Sequence, residues 1–184
     1  MCFNRFQLKM KPSSRKWGFK MQITRHDQPL ETIGTPPKVG EQLPAFELVD
    51  ADYQTRTTQQ LLGKRTLISI VPDINTRVCS IQTKHFNQAI DQFTDINFYT
   101  VSTNTVEQQQ AWCAAEGVQL MQLLSDEALS FGKALNLYVP SNNTLQRSIM
   151  IVEADGTISY EELIVEQTDE PNYAAALEFL KSAH

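Results

Sequence analysis

The chain has only three cysteines, Cys2, Cys79 and Cys113, too few for the disulfide framework of a secreted scaffold. Seven glycines and eight prolines among 184 residues exclude collagen-like or low-complexity character. Unbroken apolar runs stop at a handful of residues, so no membrane-spanning helix is predicted. There is no Gly-rich phosphate loop and no Gly-x-Ser-x-Gly elbow. Positive charge is scarce beyond the first twenty residues. Residues 1–20 hold six basic side chains and no acid, which leaves 10 basic against 21 acidic in residues 21–184. An acidic body argues against nucleic acid as the main partner, because phosphate binding needs concentrated positive charge.

What is present suits one soluble, cytoplasmic globular domain: 41% hydrophobic residues and 20% charged, at a length that buries a sizeable core. The basic head, residues 1–20, lacks the apolar region and small-residue cleavage site of a secretory signal and is expected to be disordered. Met10 and Met21 follow Met1 closely, so an early start codon is a plain alternative explanation for it.

Lys20 to Thr35 reads as a β-hairpin turning at His26-Asp27-Gln28-Pro29. Phe46–Val49 and the β-branched run Thr66–Val71 predict strands, the second covered on both faces and stopped by Pro72. Between them, Thr57–Leu62 suits a short helical turn. From Val78 the period lengthens: Ile81, Phe86, Ala89, Ile90 and Phe93 mark one face of a helix. Strands follow at Ile96–Val101, Val118–Leu124, Arg147–Val152 and Ser159–Val165. Helices are predicted over Thr105–Glu116, ended by Gly117, from Ser125-Asp126-Glu127, and from Pro171. This order defines an α/β chain compatible with a thioredoxin-like fold: a central mixed β-sheet flanked by helices, with an N-terminal β-hairpin.

Cys79 falls in the first turn of a helix, just after a buried strand. Unpaired N–H groups and the helix dipole favour an anion there. A thiol of ordinary pKa near 8.5 is only about 3% thiolate at neutral pH. About 90% ionisation needs roughly 3.4 kcal/mol of differential stabilisation. A helix terminus supplies at most about a third of that, so a cation must help, and Arg77 and Arg147 are the candidates. Thr76 can place a hydroxyl near the sulfur, and Pro72 can wall the site without donating a hydrogen bond. Alternatively, Cys79 is a small buried hydrophobe. Cys113 is separated from it by 34 residues, no Cys-x-x-Cys motif. It can condense with an oxidised Cys79 if the two Cα atoms approach within about 7 Å, or it can simply pack beside Trp112. His26 and His85 offer no close ligand pair for zinc. The pairs Asp126/Glu127 and Glu161/Glu162 read as solvated faces.

The stretch Val71-Pro72-Asp73-Ile74-Asn75-Thr76-Arg77-Val78-Cys79 resembles the peroxidatic loop of bacterial thiol peroxidases, the atypical two-cysteine peroxiredoxins. Pro72, Thr76 and Cys79 match its Pro-x-x-x-Thr-x-x-Cys core, and Gln82–Asn87 is similar to the helix that follows. Trp112–Gly117 resembles the resolving-cysteine segment at the family's separation. Arg147 begins the strand that carries the family's active-site arginine, and Glu170-Pro171-Asn172-Tyr173 resembles its last helix start. The likeness covers about residues 21–183. Asp73 stands where the family has Ser, Asn75 where it has Asp, and Ala114 where it has Gly. Asn104-Thr105-Val106-Glu107-Gln108 replaces its Asp-Leu-Pro-Phe-Ala, in the region that shapes substrate approach and dimer contact.

The resemblance implies a thioredoxin-like peroxiredoxin domain over 21–184 that reduces hydrogen peroxide and organic hydroperoxides. Cys79 would be peroxidatic and Cys113 resolving, closing an intramolecular disulfide that thioredoxin reduces. Arg147 would stabilise the thiolate and the breaking O–O bond, Thr76 would position the peroxide, and Pro72 would shield the sulfenic acid. A homodimer is implied, with no metal, flavin or haem. The rival readings are a thioredoxin-fold binding or redox-sensing module without turnover, and a structural domain with inert core cysteines.

Overall fold

The computed structural model describes residues 19–182. The basic head up to residue 18, Cys2 included, lies outside the described residues.

Strands β1 (Gln22–Arg25) and β2 (Gln28–Glu31) form the expected hairpin. Its two-residue turn puts His26 at φ 50° and Asp27 at φ 60°, the mirror-image turn whose twist matches that of the paired strands. Next come β3 (Glu47–Val49), β4 (Thr55–Thr57), α1 (Thr58–Leu61) and β5 (Arg65–Ile70). Helix α2 (Arg77–Ala89) is followed by β6 (Ile96–Ser102), α3 (Val106–Glu116) and β7 (Gln122–Ser125). The chain ends with α4 (Ser130–Ala134), β8 (Tyr138–Val139), β9 (Thr144–Leu145), β10 (Ser148–Val152), β11 (Ile158–Leu163) and α5 (Tyr173–Ser182).

Seven strands make one mixed sheet in the order β11-β10-β5-β6-β7-β3-β4. The β5-β6 and β6-β7 pairs are parallel and the others antiparallel. Parallel neighbours need a crossover, which α2 and α3 provide. Alternation along the strands then sorts the core into two layers. Leu67, Phe98, Leu123, Ile149 and Ile151 meet Phe86 of α2, Trp112 of α3, and Ala176 and Leu180 of α5. On the other face Ile68, Ile70, Val101, Leu124 and Met150 meet Phe46, Phe131, Leu135 and Leu137. A fully buried aromatic or branched side chain such as Phe86 contributes about 1.5–3 kcal/mol, so these layers hold the sheet and its helices together.

Three expectations are corrected. The strand predicted over Val118–Leu124 begins at Gln122, because Asn87 Oδ1 accepts the amides of Leu120 and Met121 at 3.0 and 2.9 Å. Those amides are satisfied by a side chain and need no neighbouring strand. The helix predicted from Ser125–Glu127 starts at Ser130, after Leu129 at φ 59°. Asp126, read as solvated, is 1% exposed and its carboxylate accepts the amides of Phe131 and Gly132 at 2.9 and 2.8 Å. Desolvation pushes that carboxyl up to about 6 despite those bonds.

Candidate active site

Helix α2 starts directly after the loop that leaves β5. Thr76 is its N-cap in extended conformation, and Cys79 is its third residue. The Thr76 hydroxyl donates to the Asp73 carbonyl at 3.0 Å, and its own carbonyl accepts the Ser80 amide at 2.9 Å. Cys79 is fully buried and reduced. Its sulfur accepts a hydrogen bond from Arg147 Nη2 at 3.2 Å.

Arg147 is 2% exposed, which makes it a buried charge that must be partnered on every side. Its Nη1 donates to Gln82 Oε1 at 2.7 Å and its Nε to the Gln167 carbonyl at 2.8 Å. Gln82 is itself fixed, donating to Ser69 Oγ of β5 at 2.9 Å. A guanidinium has five N–H donors, so three engaged here leave two for an incoming oxygen. The planar fork is locked by neighbours on α2 and by the segment after β11, a preorganised cation beside a desolvated sulfur.

Pro72, Thr76 and Arg147 line a cavity of about 220 Å³, with Arg77, Val78, Gln167, Thr168 and the hairpin residues Arg25 and His26. Of the two candidate cations, Arg147 reaches the sulfur. Arg77 is exposed and points to the cavity mouth instead. Sequence reasoning missed Gln82 and Gln167. Gln82 had a signal, since it lies three residues after Cys79 on the buried face that also carries Phe86. Gln167 acts through a backbone carbonyl, which no side-chain pattern reveals.

Cys113 does not share that cavity. It is reduced and half-buried in α3, beside the buried Trp112, and burial pushes its thiol up. It lines a separate cavity of about 480 Å³ with Val106, Met121, Leu123 and Arg56. Lys84 of α2 pairs with Glu116 of α3, so the two helices lie side by side. The Cys79 sulfur faces Arg147 at the β10 side of β5, whereas α3 joins β6 to β7 on the opposite side. The cysteines therefore belong to one apolar layer but do not face each other.

The loop residues singled out as unusual are mutually bonded. Asn104 Oδ1 accepts the Ile74 amide at 2.9 Å, and its Nδ2 donates to Asp73 Oδ1 at 3.0 Å. Asp73 Oδ1 also accepts from Asn75 Nδ2 at 3.1 Å. Asn104 thus clamps the loop before Cys79 to the segment entering α3. His85, weighed as a zinc ligand, stacks on Tyr173 at 4.1 Å, whereas His26 sits in the hairpin turn. Among the described residues no cluster of three or more His, Cys, Asp or Glu can hold a metal.

A free cysteine at a helix start, hydrogen-bonded by a buried arginine on a thioredoxin-like sheet, is an arrangement suited to cysteine-based redox chemistry. The model of the AhpC/TSA family matches residues 39–161. The chain is 40% identical over 163 residues to the thiol peroxidase of Listeria innocua serovar 6a, covering 88% of this chain and 99% of that one. It is 34% identical over 162 residues to the thiol peroxidase of Bacillus subtilis, covering 88% and 97%. Among solved structures it is similar to a peroxiredoxin-like protein from Aquifex aeolicus, with a TM-score of 0.82 at 24% identity over 89% of this chain and 98% of that one. The thiol peroxidase from Chromobacterium violaceum gives 0.79 at 18% identity, over 87% and 95%. The chain belongs to the AhpC/TSA family, and the relatives matching nearly its whole folded length are thiol peroxidases.

Proposed function

We propose that the protein reduces hydrogen peroxide and organic hydroperoxides with Cys79 as the peroxidatic residue and Cys113 as the resolving one. The observation that carries this reading is the locked Arg147 fork, which donates to the buried Cys79 sulfur and also lines the cavity walled by Pro72 and Thr76. Arg147 holds the Cys79 sulfur by a hydrogen bond and offers its two free N–H groups to the peroxide oxygens. Thr76 Oγ1, already donating to Asp73, is free to accept the peroxide O–H. The thiolate attacks the terminal oxygen of R–O–O–H. The S–O bond forms as the O–O bond breaks, and the alkoxide leaves as ROH after taking a proton. Pro72 presents no N–H to the resulting Cys79 sulfenic acid.

The Cys113 sulfur then attacks the Cys79 sulfur, expelling the sulfenic oxygen as water and closing the disulfide. Because Cys79 faces away from α3, the first turn of α2 and its preceding loop must unwind for this step. Cys113 for its part must lose its proton against the burial that pushes its thiol up. A dithiol protein of the thioredoxin type returns both cysteines to the thiol state. A cytoplasmic homodimer accords with the family, and no helix among the described residues is long and apolar enough to cross a membrane.

Turnover with thioredoxin, its reductase and NADPH tests the reading. Hydroperoxide-dependent NADPH oxidation, one equivalent per peroxide, is expected. A single oxidation event without recycling would overturn it in favour of a redox sensor.

A further inference from the structure

The β1–β2 hairpin stands outside the central sheet, yet it is fastened over the active site. Glu166 accepts hydrogen bonds from Thr24 Oγ1 at 2.7 Å and from the His26 and Asp27 amides at 2.9 and 3.2 Å. The next residue, Gln167, donates its amide to the Thr24 carbonyl at 2.8 Å and accepts Arg147 Nε with its own. The hairpin tip is therefore tied to the same segment that holds the catalytic arginine. It delivers Arg25 to the cavity mouth, where Arg77 arrives as the first residue of α2.

These two arginines differ from the others described. Arg56 pairs with Asp50, Arg65 with Glu153, and Arg147 is bound within the site. Arg25 and Arg77 have no carboxylate partner among the described residues, and no Asp or Glu lines the cavity they flank. The nearby Glu166 carboxylate is occupied by the hairpin amides, by Thr24 and by Thr168. In a body that carries 21 acidic against 10 basic residues, two open guanidinium groups converge on one small cavity. Its interior between them and Arg147 is walled by Pro72, Val78 and Thr76. A cavity of about 220 Å³ takes the volume of roughly seven waters, or the compact apolar body of one small molecule.

We propose that this cavity selects organic hydroperoxides that carry a carboxylate. Arg25 and Arg77 hold the carboxylate at the mouth, the apolar body lies against Pro72 and Val78, and the hydroperoxyl group reaches Arg147 and Cys79. The inference rests on the peroxidase reading and adds its substrate class.

The test compares kcat/KM for cumene hydroperoxide bearing a para-carboxylate with that for its methyl ester, using tert-butyl hydroperoxide as a neutral reference. The two aryl probes share size and leaving group and differ in charge at one end. Partly exposed ion pairs of ordinary strength predict about a three- to tenfold preference for the acid at low salt. That preference should shrink as added salt shortens the screening length. In Arg25→Gln and Arg77→Gln the acid-to-ester ratio should fall towards one, each variant serving as its own reference. Equal rates for acid and ester in an enzyme that turns over tert-butyl hydroperoxide would overturn the inference and leave the peroxidase reading standing. So would a preference that survives in the double variant. Failure to turn over tert-butyl hydroperoxide would overturn the peroxidase reading, and this inference with it.

Discussion

Asn104 holds shut the loop that the proposed disulfide step has to open, and Asn104→Ala should release it. The substitution removes the acceptor of the Ile74 amide and the donor to Asp73 Oδ1. A net contribution of about 0.5–1.5 kcal/mol per hydrogen bond gives a total of about 1–3 kcal/mol. Ile74 is fully buried, so its abandoned N–H has poor access to water, which favours the middle of that range or above. About 2 kcal/mol corresponds to a roughly thirtyfold larger population of the opened loop. Native-state hydrogen exchange of the first-turn amides of α2 should read that change directly, while amides in β5 and β6 keep their protection. After a peroxide burst, disulfide closure followed through Trp112 fluorescence should accelerate. Asn104→Asp is a sharper variant: it restores the acceptor for Ile74 but sets a second carboxylate against Asp73, so it should loosen the loop as well. If α2 exchanges at its original rate in a folded Asn104→Ala protein, the clamp is not what restrains the loop and the reasoning fails.

Replacing Arg147 by Met should slow Cys79 oxidation by about ten- to a hundredfold, the loss of one charge-assisted hydrogen bond of roughly 1.5–3 kcal/mol. Stopped-flow oxidation measures it, and Arg147→Lys should recover only part, since a point charge cannot serve Cys79, Gln82 and Gln167 at once. Gln82→Leu should damage the same rate through Arg147: it leaves Nη1 unpaired without touching the sulfur, so Cys79 oxidation slows while the Cys79–Cys113 pairing still forms. The hairpin should depend on acid. Although desolvation works the other way, hydrogen bonds from Thr168, Thr24 and the Asp27 amide hold the Glu166 carboxyl down at about 2. A carboxyl with a folded pKa below its unfolded value stabilises the fold above that unfolded value, near 4.3, and loses the contribution as pH falls towards about 2. Protection of the His26 and Asp27 amides, measured against their intrinsic exchange rates, should therefore fall between about pH 4 and 2, and Glu166→Gln should flatten that dependence.

Much of the fold was legible because its central strands are long and apolar. Thr66–Val71 and Ile96–Val101 predict β5 and β6 to within a residue, and the helix predicted over Thr105–Glu116, ended by Gly117, is α3 to within a residue. Strands β4, β8 and β9 are two or three residues long and carry no period to read. Errors at β7 and α4 share one physical origin. In both, a side chain takes up backbone amides that the pattern alone would give to a strand or to an earlier helix start: Asn87 from more than thirty residues away, and Asp126 from only five and six residues before the amides it accepts. The site divides in the same way. Pro72, Thr76 and Cys79 lie within eight residues, and Arg147 heads a recognisable strand. Gln167 contributes only a carbonyl, and the Asn104 clamp joins residues some thirty apart through contacts that exist only once β5 and β6 are paired.

The most direct test is the intact mass of the fully reduced protein after one equivalent of cumene hydroperoxide, followed by peptide mapping. The account predicts a loss of two hydrogens, with Cys79 linked to Cys113 within one chain. An unchanged mass, or a disulfide that leaves out either residue, would contradict it.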